Sequence, residues 1–249
     1  MSASEPILTL SDVVSGYGKM TILNGTSARI RRGAITTVIG PNGAGKSTMF
    51  KTAFGLLPVR SGRIDFDGRD TTNLPPRQML DAGMCYVPQG RNIFPELSVR
   101  HNLELGGVAL SDQSRLPQRV DAMMQRFPVL REKANAQAST LSGGQQKLLE
   151  VARGLLLDPK LMLIDEPSIG LSPQLVQEVF AILAELRARG VTIVLIEQNA
   201  KQALQISDYG LVLEQGRTRI EGTASSILAD PRIAQLFLGG GLQETERAR

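Results

Sequence analysis

The sequence predicts an α/β fold in which a strand–helix core is interrupted by a helical insertion, and three observations carry that prediction. Ile35-Thr36-Thr37-Val38-Ile39 is a β-branched run that stops at a glycine, as a buried strand does. From about residue 91 to 158 such runs thin out and the pattern turns helical, with Pro117 and Pro128 as breaks. From Leu161 onward strand and helix alternate again.

Residues 7 to about 67 read as short strands broken by glycines, with one helix starting after Gly45. Residues 161–164 form a strand, 173–189 a helix and 191–196 another strand. The helix is well signalled: Ser172 can cap it, Pro173 suits its first turn and Gly190 its end. Leu175, Val176, Val179, Phe180, Leu183 and Leu186 recur at helical spacing and give it one apolar face.

Composition narrows the function. The chain has 249 residues, 42% apolar and 21% charged, enough to bury a substantial core. Unbroken apolar stretches such as 161–164, 179–184 and 193–196 are far shorter than the roughly 20 residues a spanning helix needs. The start, Met1-Ser2-Ala3-Ser4-Glu5-Pro6, has neither the basic nor the apolar stretch of a signal peptide, and the expected location is cytoplasmic. One cysteine, Cys85, excludes an internal disulfide and a Cys-rich zinc site; one histidine, His101, removes His-based metal sites. The net charge is +4, with Arg29, Arg31 and Arg32 as its densest cluster, and reads as solvated surface. With 4% aromatics and no Trp there is no stacking platform for single strands, and no nucleic-acid partner is expected.

Gly40-Pro41-Asn42-Gly43-Ala44-Gly45-Lys46-Ser47 fits G-x-x-x-x-G-K-[ST] and lies after a strand and before a helix, where its mechanism requires it. The glycines let backbone N–H groups point at phosphate oxygens, and the helix start adds a positive dipole end. Lys46 would reach the β- and γ-phosphates, Ser47 would ligate Mg²⁺, and Thr48 could donate a further contact. Leu161-Met162-Leu163-Ile164-Asp165-Glu166 adds a strand with acidic residues at its carboxyl end. Asp165 can hold the magnesium through water, and Glu166 could polarise the attacking water. The two segments together specify a nucleoside triphosphatase.

Leu141-Ser142-Gly143-Gly144-Gln145 is a second anion-binding device, a serine cap on a helix whose first turn opens through two glycines. Between the two nucleotide segments it resembles the signature of ATP-binding-cassette proteins. That resemblance implies a P-loop NTPase cassette core with an inserted helical subdomain and an N-terminal antiparallel β portion. It covers one domain over 7–240, with the core at 1–90 and 159–240, the helical subdomain at 91–158, and tails at 1–6 and 241–249. It also implies a head-to-tail dimer, in which Ser142, Gly143, Gly144 and Gln145 serve the partner's nucleotide and ATP hydrolysis releases the pair. Tyr17 matches the aromatic residue that stacks on adenine, and Gln89 the glutamine that touches Mg²⁺ and the catalytic water. The segment 92–106 corresponds to the surface that receives the membrane subunits.

The sequence departs from the family pattern at two places. Gln198 stands where the family usually places a histidine; it can hydrogen-bond a γ-phosphate but carries no proton at neutral pH, which leaves the base role to Glu166. Ser172 ends a loop that more often ends in aspartate. His101 falls in the membrane-facing segment and reads as an exposed polar residue.

With the segments 167–173, 197–200, 90–95 and 236–240, the chain resembles the glutamine-bearing ATP-binding subunit of bacterial branched-chain amino acid importers. The implied partners are a histidine-bearing second cassette (a homodimer being the alternative), two polytopic membrane subunits and, indirectly, an extracytoplasmic solute-binding protein. The implied place is the cytoplasmic face of the inner membrane. Cassettes of urea importers and lipopolysaccharide exporters are the nearest alternatives, and a non-transport cassette ATPase a more distant one.

Overall fold

The computed structural model describes residues 5–110 and 112–233; the segment 236–240 and the charged tail 243–249 lie outside the described residues. Two sheets organise the chain. An antiparallel sheet has the order β2-β1-β4-β5, from β1 (Pro6–Tyr17), β2 (Met20–Arg31), β4 (Val59–Phe66) and β5 (Arg69–Asp70). A six-stranded sheet has the order β10-β9-β3-β8-β7-β6, from β3 (Ile35–Ile39), β6 (Met84–Val87), β7 (Leu161–Asp165), β8 (Thr192–Ile196), β9 (Tyr209–Glu214) and β10 (Arg217–Thr223). Its strands are parallel except at the β9–β10 edge.

The parallel strands β3, β7 and β8 are buried throughout, and β7 and β8 sort their side chains by parity. Leu161, Leu163, Val194 and Ile196 face one way, into a core shared with the antiparallel sheet and with Met49 and Phe50 of α1 (Lys46–Ala53). Met162, Ile164, Ile193 and Leu195 face the other way, toward α6 (Gly143–Leu155) and α7 (Pro173–Ala188). Two-sided burial is why these strands are continuous apolar runs rather than alternating ones. Each such Leu or Ile removed from water contributes about 1.5–3 kcal/mol.

Between β6 and β7 the chain is helical: α3 (Val99–Gly106), α4 (Leu116–Arg126), α5 (Pro128–Glu132) and α6. Pro117 and Pro128 each occupy the first turn of a helix, where the missing N–H costs nothing. Short helices α2 (Pro76–Ala82), α8 (Ala200–Gln205) and α9 (Ala224–Leu228) complete the described chain. Ser172 accepts the Leu175 N–H as cap of α7.

The expectation of short N-terminal strands needs correction. β1 and β2 run 12 residues each, and Gly16 and Gly25 lie inside them. The glycines and Asp12, at φ 49°, coincide with or adjoin register shifts in the β1–β2 pairing, so they bend strands rather than end them.

Candidate active site

Four neighbouring strands, β3, β8, β7 and β6, present their carboxyl ends side by side, and the chain leaving each of them carries an expected site residue. In open α/β sheets this edge is where ligands collect. Gly40 follows β3, Gln198 follows β8, Asp165 ends β7 with Glu166 directly after it, and Gln89 follows β6.

The loop after β3 is shaped by steric exclusion. Gly40 sits at φ 154°, and a Cβ there would lie 2.0 Å from the Leu213 carbonyl oxygen, so only glycine fits. Pro41, Asn42 and Gly43 are exposed or turn residues, Ala44 returns an N–H to the Pro41 carbonyl at 3.1 Å, and Gly45 at φ 102° opens α1. Lys46 is 7% exposed, and its Nζ donates to the carbonyls of Gly40 at 2.8 Å and Pro41 at 3.1 Å. Burial lowers its pKa, while the carboxylates of Glu166 and Asp165 pull it back up. Thr48 is buried in the first turn of α1.

Asp165 is 1% exposed. Its Oδ2 accepts from the Tyr86 hydroxyl at 3.3 Å, and its Oδ1 is buried without a hydrogen-bond partner. Burial raises its pKa; the hydroxyls of Ser47 and Tyr86 and the ammonium groups of Lys51 and Lys46 act against that rise. An orphaned carboxylate oxygen beside Ser47 is the donor chemistry that suits Mg²⁺, which takes one or two protein oxygens and completes its shell with phosphate and water. Among the described residues there is no cluster of three His, Cys, Asp or Glu that could hold an ion by itself.

Glu166 is buried at 6% exposure and held at φ 46°, a left-handed conformation that costs a non-glycine residue about 1–3 kcal/mol. Its N–H is fixed on the Ile196 carbonyl at 2.9 Å. Its Oε2 receives the Gln89 Nε2 at 2.8 Å and the Gln198 Nε2 at 3.2 Å. Three side chains expected to be catalytic therefore meet at one oxygen.

Glu197 was missed as a site residue. It is 2% exposed and accepts from the Ser168 N–H at 2.9 Å, the Ser168 hydroxyl at 2.7 Å and the Gln198 N–H at 3.2 Å. Burial raises its pKa, and those donors oppose the rise. It thereby pins the loop after Glu166 to the residue before Gln198. Its signal was an acid directly after a buried strand, as at Asp165.

The remaining expected residues lie further out. Tyr17 ends β1 and is 44% exposed, with the Lys51 Nζ 5.7 Å from its ring centroid and 3.3 Å from its hydroxyl. Ser142 and Gln145 form a reciprocal cap on α6, with the Ser142 N–H on Gln145 Oε1 at 3.1 Å and the Gln145 N–H on Ser142 Oγ at 3.4 Å. A Cβ on Gly143 would meet a methyl group of Leu171 at 2.9 Å, and one on Gly144 a methyl group of Leu175 at 2.7 Å, so a larger residue at either position would require those leucines to shift. These signature contacts are with Lys133, Leu171 and Leu175, on elements other than the phosphate loop. His101 is exposed in the first turn of α3, its N–H on Ser98 Oγ.

Comparison with known proteins shows the family. The family model of the ABC transporter matches residues 23–169. The high-affinity branched-chain amino acid transport ATP-binding protein BraG of Pseudomonas aeruginosa is 39% identical over 94% of this chain and 100% of its own length. The lipopolysaccharide export system ATP-binding protein LptB of Haemophilus influenzae is 30% identical over 94% of this chain and 97% of its own. The crystal structure of an ATP-binding cassette of an ABC transporter, in its ADP conformation, superposes with a TM-score of 0.85 at 29% identity, covering 95% of this chain and all of that one. No helix among the described residues is long and apolar enough to cross a membrane. The chain belongs to the ABC transporter family, as an ATP-binding domain that hydrolyses ATP in support of transport.

Proposed function

We propose that this chain is the ATP-hydrolysing subunit of an importer for branched-chain or related amino acids. The observation that carries the solute class is the end-to-end identity of 39% with BraG, against 30% with LptB. Lipopolysaccharide export is the second reading; Gln198 in place of the usual histidine counts against it.

In this reading the cassette is one domain over 7–240, with its helical subdomain at 91–158. It stands on the cytoplasmic face of the membrane, against two polytopic subunits, and pairs with a second cassette, a histidine-bearing one being favoured by Gln198. Gly40, Pro41, Asn42, Gly43, Ala44, Gly45, Lys46, Ser47 and Thr48 hold the ATP phosphates; Tyr17 stacks on the adenine; Ser142, Gly143, Gly144 and Gln145 close on the partner's nucleotide. Asp165, Ser47 and Gln89 would hold Mg²⁺, which neutralises charge on the β- and γ-phosphate oxygens when bound.

Glu166 takes the proton of the attacking water. Gln89 and Gln198 aim its carboxylate by donating to Oε2, which leaves Oε1 for the water. The amide of Gln198 has a second N–H for a γ-phosphate oxygen, so it positions without carrying a proton.

The test is a membrane pull-down with tagged Glu166→Gln protein and ATP. Recovery of two polytopic subunits with a histidine-bearing cassette supports the importer architecture. Recovery of lipopolysaccharide-export subunits, ribosomes or DNA contradicts it.

A further inference from the structure

The buried ion pair inside α6 is not absorbed by the site described above. Lys147 and Glu150 lie one helical turn apart with side chains 7% and 3% exposed, and Lys147 Nζ meets Glu150 Oε2 at 2.5 Å. Each also reaches out of the helix to one loop. Lys147 Nζ donates to the Gly90 carbonyl at 3.0 Å, and Glu150 Oε1 accepts the Asn92 N–H at 2.6 Å. Arg153, one turn further on, donates to the Asn92 carbonyl. The Asn92 side chain then donates to the Pro88 carbonyl at 3.1 Å, closing the loop around Gln89.

Packing does not hold this loop in place. Gln89, Gly90 and Arg91 are exposed, and a cavity of about 270 Å³ opens between Gly90, Arg91 and Gly143 on one side and Ile169 and Leu171 on the other. Polar contacts fix it: Gln89 on Glu166 at one end, and Gly90 and Asn92 on α6 at the other. A buried ion pair adds little net stability over apolar residues of the same volume, so what this one supplies is geometry.

We infer that Lys147 and Glu150 are positioning residues that tether the Gln89 loop to the signature helix, so that the placement of α6 sets the approach of Gln89 to Glu166. One rigid helix then carries the signature at its N-terminus and the hold on Gln89 two turns later. Movement of the signature against a partner's nucleotide would be felt at Glu166 of the same chain. The inference rests on the proposed role of Gln89.

The test is the double variant Lys147→Met/Glu150→Leu, which removes both charges of the pair together. Its melting temperature should stay within about 5 °C of the parent. Exchange of the Asn92 amide should accelerate more than about tenfold, as its acceptor is gone. In ATPase assays kcat should fall about tenfold while KM for ATP stays within about twofold, since only the placement of Gln89 has changed. Lys147→Met/Glu150→Gln, which also removes both charges of the pair but keeps an acceptor for Asn92, should restore both readouts. Should the double variant not fold, Asn92→Pro deletes the donor N–H together with the side-chain bond to Pro88, keeps the ion pair and carries the same expectation for kcat.

Unchanged Asn92 exchange, or accelerated exchange with unchanged kcat while Gln89→Ala is impaired, overturns the inference. If Gln89→Ala itself turns over normally, the role of Gln89 is what fails, and the exchange at Asn92 alone decides the tether.

Discussion

Gln198 donates its side-chain amide to Glu166 Oε2 at 3.2 Å, the oxygen that Gln89 also reaches at 2.8 Å. The residue that replaces the family's usual histidine is thus a ligand of the carboxylate that would do the chemistry. An amide at that position fixes geometry and does not titrate.

That contact predicts a pH response. Wild-type ATPase activity should show no inflection near pH 6.5 that originates at position 198. Gln198→His should acquire one, because a histidine there titrates at about that pH. A pH–kcat series on the two proteins reads the difference directly.

Replacing the carboxylate separates binding from turnover. Glu166→Gln keeps the side-chain shape and an acceptor oxygen but removes the base. ATP affinity should stay within about threefold of wild type, while kcat falls by a hundredfold or more, roughly the range of a lost general base. Nucleotide-binding calorimetry and phosphate release measure the two arms.

Lys46 makes the opposite prediction. Its Nζ bridges two carbonyls of its own loop, Gly40 and Pro41, in the structure. Lys46→Ala removes both that bridge and the cation that would meet the phosphates. ATP binding should fall below detection at millimolar nucleotide, and equilibrium dialysis with labelled ATP would show it.

Asp67 links the two sheets, with Arg32 at 2.5 Å just after β2 and Lys160 at 2.5 Å just before β7. Hydrogen bonds from Lys160 and Arg32 hold its pKa down at about 2. A carboxylate with a depressed folded-state pKa stabilises above its unfolded value and loses that contribution as pH falls through the folded one. Asp67→Asn should therefore melt below wild type above about pH 4, with the gap closing toward pH 2. Melting temperatures of both proteins between pH 2 and pH 6 test this.

Glu197 should matter for stability as well as for the site. Three donors from Ser168 and Gln198 converge on its buried carboxylate. Glu197→Ala leaves them unsatisfied and should cost about 2–4 kcal/mol in urea unfolding.

What could be read in the sequence was local. The phosphate loop, the acid pair after β7 and the signature cap each lie within a few consecutive residues, and each has a spacing with one mechanical meaning. Long-range partnerships were not legible. Glu197 meets Ser168 across 29 positions, Glu150 meets Asn92 across 58, and Tyr86 meets Asp165 across 79. The order of strands in the sheet brings the first and third pairs together, and the packing of α6 beside the loop after β6 brings the second. The N-terminal strands were misjudged for a different reason: Gly16 and Gly25 have the composition of breaks, yet antiparallel pairing absorbs them as irregularities within β1 and β2.

If ATP hydrolysis at Glu166 drives amino acid import, the most direct test is uptake of labelled leucine, isoleucine and valine by cells in which the native chain is replaced by Glu166→Gln. Uptake should fall to background and return when the wild-type chain is restored. Uptake of all three at the wild-type rate would contradict it.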